Sequence, residues 1–136
     1  MGLTHLDAGV LIGFLDRHDA HHRSAHQALA AARDRRERLA MAASALPEGL
    51  VAPARSGDTA VAAIRDVVRR LAIDVVPLDE EIAVAAARLR AEHPSLKLPD
   101  ALVLATAALH GADRLVTTDR GWPAQAHPSG MTVEPL

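Results

Sequence analysis

Four acidic residues are spaced as a group that could do chemistry together. Each follows a short apolar run or lies in the first turns of a predicted helix; they are Asp7, Glu48, Asp100 and Asp119. Carboxylates that gather at one place repel one another and raise one another's pKa unless a cation is present. Oxygen ligands of this kind favour a hard divalent cation, Mg²⁺ or Mn²⁺ rather than zinc. The group therefore predicts metal-assisted hydrolysis of a phosphodiester bond.

The elements that must position these acids are predicted to form an α/β fold with a mostly parallel sheet of four to five strands. Short apolar runs alternate with longer segments of helical period, which is typical of βαβ units. The predicted strands are residues 3–6, 39–43, 73–76, 114–117 and a short edge strand at 131–133. The carboxyl ends of parallel strands share one edge of the sheet, so acids that follow strands can converge there.

Helices are predicted between the strands, at residues 10–15, 19–36, 44–51, 59–71, 79–92 and 100–110, with a connector at 53–57. Pro47 suits a helix only if it lies in the first turn. Two helices carry a stripe of apolar residues that should be buried; the stripes are Ala25, Leu29 and Ala32, and Val61, Ile64, Val67, Val68 and Leu71. The last helix is almost wholly apolar, so Leu104, Ala105 and Ala108 are predicted to lie in the core.

Composition predicts one globular domain over residues 1–136, since 49% of the residues are hydrophobic and 24% are charged. The net charge of −2 gives no overall basic field, so any contact with a polyanion must be local. Cations that flank the acidic residues are candidates for that contact; they are Arg17, Arg23, Lys97 and Arg120. The absence of cysteine excludes thiolate catalysis and zinc sites of the cysteine type.

The sequence also lacks an uninterrupted apolar run of membrane-spanning length and a signal-peptide pattern at its start. A cytoplasmic protein without membrane contact is therefore expected. Phe14 and Trp122 are its only Phe, Trp or Tyr residues, so a platform on which bases stack across a sheet is not expected.

Each acid taken alone also has a structural interpretation. Asp7 and Asp100 suit helix N-termini, and Asp119 suits a turn. Glutamate near a helix start, as at Glu48, is commonplace, so only the conjunction of the four favours a site. Asp79 also follows a strand, but Glu80 and Glu81 behind it indicate a helix cap, and it is not assigned to the group.

Three histidines offer a second metal hypothesis, because His18, His22 and His26 recur every four residues on a predicted helix. That spacing allows Zn²⁺ or Ni²⁺ to bind. No cysteine or HExxH-type glutamate accompanies them, so this is the lesser hypothesis.

Four segments contain the acids in order: LDAGVLI at 6–12, SALPEGL at 44–50, LPDALVLATA at 98–107 and LVTTDRGW at 115–122. In order, spacing and total length they resemble the motifs of PIN-domain ribonucleases, especially the VapC toxins of bacterial toxin–antitoxin pairs. The resemblance covers essentially the whole chain. The first, third and fourth motifs are specific and the second is loose.

The resemblance implies a flavodoxin-like α/β/α sandwich and a Mg²⁺- or Mn²⁺-dependent endoribonuclease that dimerises and is inhibited by a cognate antitoxin. It places the acidic site on the same four residues, with Thr117 as a hydrogen-bonding neighbour. The sequence departs from the family at Pro47, directly before Glu48, and at Trp122, where Phe is more usual. Because of Pro47 an alternative stays open, namely a PIN-like module that binds RNA or protein without cleaving RNA.

Overall fold

The central sheet has five strands, and the computed structural model describes every residue from Met1 to Leu136. The strands are β1 (Leu3–Leu6), β2 (Arg38–Ala42), β3 (Ile73–Val76), β4 (Arg114–Thr117) and β5 (Thr132–Pro135). Their order across the sheet is β3-β2-β1-β4-β5, and every neighbouring pair is parallel. The predicted α/β fold is confirmed. Because β1 is central, the residue that follows it lies at the middle of the carboxyl edge.

Six α-helices flank the sheet: α1 (Ala8–Leu15), α2 (His22–Asp34), α3 (Leu46–Ser56), α4 (Asp58–Arg70), α5 (Glu80–Glu92) and α6 (Leu98–Leu109). A short 3₁₀ turn at Ala124–Ala126 precedes β5. None of these helices has both the length and the hydrophobicity that crossing a bilayer requires.

The buried apolar residues form one cluster around the sheet. All four residues of β1 are buried, and so are Leu104 and Ala105 of α6. The prediction for Ala108 is wrong, because that residue is exposed near the end of α6. Because the alanine side chain is small, the pattern of alanines in a sequence does not show which face of a helix is buried.

The two predicted apolar stripes differ in outcome. Ala25, Leu29 and Ala32 of α2 are buried as predicted. On α4 only Val68 is buried and the rest of the stripe is half-buried, so the prediction of a buried stripe there is wrong. The reason is position: α4 packs against α3 and the edge strand β3, where the sheet offers less surface to cover it.

Two helix boundaries differ from the prediction by more than two residues. The connector predicted at residues 53–57 is wrong, since α3 continues through Pro53 to Ser56 and ends at Gly57, whose φ is +111°. A proline inside a helix removes one hydrogen bond, and α3 has no fully buried residue, so solvent can reach the freed carbonyl. The second difference is α2, which begins at His22 rather than near residue 19. Asp16 and Asp19 accept the backbone N–H groups of His18 and His21, which favours turns there.

Candidate active site

Asp7 is held in place by hydrogen bonds to both of its carboxylate oxygens. It follows β1 directly and is the N-cap of α1, where its Oδ1 accepts the N–H of Ala8 at 2.8 Å. The hydroxyl of Thr117 donates to Oδ2 at 2.8 Å. An aspartate fixed at both oxygens keeps one orientation, and each oxygen retains a lone pair for another ligand.

Thr117, the last residue of β4, links two of the predicted site residues. Its side chain is fully buried, and its hydroxyl oxygen also accepts the backbone N–H of Asp119 at 3.0 Å. The hydroxyl therefore donates to one acid and accepts from the backbone of another. The second bond was not predicted from the sequence.

Asp119 lies in the exposed loop that follows β4. Its Oδ1 accepts the N–H of Gly121 at 2.7 Å, which closes a tight turn of the kind that aspartate favours. Its Oδ2 makes no hydrogen bond within the chain and remains available to a ligand.

Asp100 occupies the first turn of α6, and Pro99 lies in that same turn as predicted. It is half-buried, and burial raises the pKa of Asp100 above its ordinary value. The negative charges of Asp119, Asp7 and Glu48 raise that pKa further, whereas the indole of Trp122 lowers it. All four predicted acids are therefore close enough to interact.

Burial also raises the pKa of Asp7, and the charge of Asp119 adds to the effect. The hydrogen bonds from Thr117 and Ala8 act in the opposite direction. None of the ion pairs in the structure includes any of the four acids. The cluster thus contains negative charge that no basic side chain of the chain balances.

Glu48 lies in the first turn of α3, and Pro47 is in the first turn as well, where it does not interrupt the helix. The Glu48 side chain is exposed, and its charge has the smallest effect of the three acids on the pKa of Asp100. The structure therefore brings Glu48 to the edge of the cluster rather than to its centre.

The donor chemistry of the cluster fits a hard divalent cation, since every candidate ligand is a carboxylate oxygen. As they are placed, no three histidine or acidic side chains form a group that could hold a metal ion. Closing a shell would require the exposed side chains of Glu48 and Asp119 to rotate inward.

The PIN domain family matches residues 5–128, which is most of the chain. This protein belongs to the PIN domain family. The match includes all four acids, and the family resemblance of the motifs is confirmed. No curated protein matches the sequence significantly.

Solved structures of toxin–antitoxin systems are similar to this PIN domain. A toxin–antitoxin complex from Klebsiella pneumoniae shares 26% identity and a TM-score of 0.66, covering 97% of this chain and 99% of that chain. VapC20 of Mycobacterium tuberculosis, a toxin that cleaves the sarcin-ricin loop, shares 16% identity and a TM-score of 0.71, covering 87% and 91%. VapBC2 of Rickettsia felis, bound to promoter DNA, shares 14% identity and a TM-score of 0.71, covering 98% of each chain. The last two structures are under 25% identical to this chain, so their similarity to it shows a shared fold only.

Gly9 is a feature of the PIN domain's site that the sequence analysis missed. A Cβ at Gly9 would lie 2.0 Å from the Oγ1 of Thr118 and 3.1 Å from its Cβ. The missing side chain therefore lets α1 approach the loop that positions Asp119. A glycine inside an otherwise apolar helical segment was the available signal.

The histidine hypothesis is wrong in its geometry. His18 precedes α2, so the three histidines do not share one helix. His22 Nδ1 donates to the carbonyl of Gly13 at 2.7 Å, and His26 Nε2 donates to that of Phe14 at 3.2 Å. These two rings bond to carbonyls near the end of α1, where a helix leaves carbonyls unpaired.

The flanking cations of the PIN domain are placed as surface residues. All four are exposed, and none forms an ion pair; they are Arg17, Arg23, Lys97 and Arg120. Arg120 donates to the carbonyl oxygen of Leu136 and Arg17 to a ring nitrogen of His18, whereas Arg23 and Lys97 make no side-chain hydrogen bond within the chain.

Proposed function

We propose that this protein is a Mg²⁺- or Mn²⁺-dependent endoribonuclease and the toxin of a toxin–antitoxin pair. One observation carries the proposal: three aspartates from separate segments, with Glu48 at their rim, lie near enough to one another for the charges of the others to raise the pKa of Asp100, and none of them has a basic partner. Such an arrangement is costly unless it serves a cation.

In the proposed site Asp7, Asp100 and Asp119 hold the cation or cations, and Glu48 completes the shell directly or through water. A bound divalent cation supplies Lewis acidity, which stabilises charge on the phosphodiester and makes water a better nucleophile at neutral pH. Thr117 and the N–H of Ala8 keep Asp7 aimed at the ligand. The turn closed by Asp119 and Gly121 leaves one oxygen of Asp119 free for it.

RNA is the proposed substrate because the site's chemistry suits a phosphodiester and VapC20, a protein of similar fold, cleaves the sarcin-ricin loop. Since the net charge is −2, RNA must be held locally. Arg17, Arg23, Lys97 and Arg120 are the cations proposed to do so. A cytoplasmic location is proposed with this substrate.

A cognate antitoxin and a second copy of this chain are the proposed protein partners. Support for the antitoxin comes from the toxin–antitoxin complex from Klebsiella pneumoniae. Its matched chain aligns with this one over nearly the full length of each. Large apolar side chains are exposed on several elements and are available to such partners; they include Val51, Val75, Leu78, Val84, Leu98 and Leu109.

A non-catalytic PIN module that binds RNA or protein is the second candidate. Two observations favour it: Glu48 is exposed, and no three acids already form a metal-holding group. Cleavage by the purified chain separates the two candidates.

The test uses a long structured RNA, incubated with the purified protein and either Mg²⁺, Mn²⁺ or EDTA. We expect internal cleavage with either metal, none with EDTA, and none by Asp7→Asn. Asp79→Asn is the matched control, because Asp79 also follows a strand but caps α5 outside the cluster. Binding of RNA without cleavage in either metal would instead establish the second candidate.

A further inference from the structure

Trp122 carries a buried polar group that the proposed function has not used. Its side chain is 8% exposed and packs in the apolar core. Its indole N–H is buried and has no hydrogen-bond partner. A buried N–H without a partner is rare, and it calls for an explanation in the folded protein's activity or ligand.

The indole lies beside the acidic cluster. Trp122 follows the turn closed by Asp119 and Gly121, so the same loop places an acid and the indole. The indole N–H is close enough to the carboxylate of Asp100 to oppose the rise of that group's pKa, yet the two do not form a hydrogen bond of good geometry. The indole N–H therefore lies near an acceptor without forming a full hydrogen bond to it.

We propose that Trp122 is a positioning residue whose indole N–H donates a hydrogen bond to the Asp100 carboxylate when a divalent cation binds the cluster. The inference rests on the proposed function, because it assigns a role toward the same cation. In this proposal the bond is completed by rotation of the Asp100 side chain, which is half-buried in the first turn of the largely apolar helix α6.

Such a bond would fix the carboxylate in the orientation that binds the cation. Hydrogen-bond donors behind metal ligands typically change metal affinity by about 10–100-fold. Asp7 already has such donors in Thr117 and Ala8, whereas Asp100 has only Trp122 as a neighbouring side-chain donor. We therefore expect the indole N–H to orient the Asp100 carboxylate as the hydroxyl of Thr117 orients that of Asp7.

The experiment uses the single tryptophan as its own reporter, since the chain has only one indole N–H resonance. The full-length ¹⁵N-labelled protein is titrated with Mg²⁺, and the affinity is measured in parallel by calorimetry. We expect the indole proton to move downfield with the calorimetric midpoint. Trp122→Phe, which keeps an aromatic ring and removes the donor, should bind Mg²⁺ about tenfold more weakly.

Met131→Ala is the matched control, because Met131 is buried in the same core to the same 8% exposure and offers no N–H donor. It should lose stability but keep the wild-type affinity for Mg²⁺. An equal loss of affinity in both variants would overturn the inference, since the effect would then be one of packing.

An unmoved indole resonance in a wild-type protein that binds Mg²⁺ would also overturn the inference and would leave the proposed function intact. That readout needs no substitution, so it decides the matter even if Trp122→Phe does not fold. Wild-type protein that binds neither Mg²⁺ nor Mn²⁺ would refute the metal dependence of the proposed function and the inference with it.

Discussion

The hydroxyl of Thr117 donates to the carboxylate of Asp7 across 2.8 Å, although the two residues are 110 positions apart in the sequence. They stand at the carboxyl ends of β4 and β1, which are neighbours in the sheet. The bond favours the ionised form of an aspartate whose burial raises its pKa. Strand pairing therefore brings to the acid at the centre of the edge a donor that lowers its pKa and partly opposes the effect of burial.

Replacing Thr117 by valine should weaken both stability and cleavage. Thr117→Val keeps the shape but removes the bond that accepts the N–H of Asp119 and the bond to the Asp7 carboxylate, and a hydrogen bond to a charged group contributes about 1.5–3 kcal/mol. The pKa of Asp7 should rise further, so the acid limb of the pH–cleavage profile should move to higher pH. Thr117→Ser keeps the hydroxyl and should retain the wild-type profile; a Val variant with an unshifted profile would refute this role.

Glu48→Gln tests the acid at the rim of the cluster. The substitution removes one negative charge with almost no change in size. If Glu48 completes the metal shell, most RNA cleavage should be lost while circular dichroism shows an unchanged fold. Glu81→Gln, an exposed acid in the first turn of α5, is the control and should cleave normally. Wild-type cleavage by Glu48→Gln would leave a site of three aspartates.

Stability should fall in mild acid because of a buried histidine pair. His5 is 1% exposed, its Nε2 lies 2.7 Å from Nδ1 of His110, and burial with the charge of His110 lowers the pKa of His5 from 6.5 to about 4. Between these two values the unfolded chain binds the proton and the folded chain does not. The free energy of unfolding should therefore decrease as pH falls from 6.5 towards 4, by about 3 kcal/mol in total.

Urea unfolding of wild type and His5→Leu at several pH values measures this contribution. The leucine variant should show a shallower pH dependence over the same window. Equal slopes in the two proteins would contradict the assignment to His5. The raised pKa values of Asp7 and Asp100 have the opposite effect on stability. Over the pH range between their unfolded and folded pKa values the folded state binds protons that the unfolded state has released, so these two groups favour folding as pH falls.

Gly9→Ala should destabilise the protein by about 1–3 kcal/mol, the usual cost of overpacking. The added methyl would meet Thr118 at its Oγ1, Cβ and Cγ2, so rotation of the threonine does not relieve the clash. Adding Thr118→Ala should restore part of the loss. Gly49→Ala is the matched control, since its nearest contact is 3.6 Å away, and equal thermal unfolding of both alanine variants would contradict the account.

The sequence predicted the strands and the positions of Asp7 and Asp100 because those depend on local apolar patterns and on helix starts. The second bond of Thr117, the approach of Thr118 to Gly9 and the indole beside Asp100 could not be predicted in this way, since each depends on tertiary contacts. A proline such as Pro53 predicts a connector because it removes a helical hydrogen bond, yet α3, which has no fully buried residue, continues through it.

Thermal unfolding with and without Mg²⁺ tests most directly whether the acids bind a cation together. A ligand that binds only the folded state at 100 times its dissociation constant stabilises that state by about 2.7 kcal/mol. The wild-type melting temperature should therefore rise with Mg²⁺, whereas Asp7→Asn combined with Asp100→Asn should melt at the same temperature with and without it. A wild type that does not respond, or a double variant that responds equally, would contradict the account.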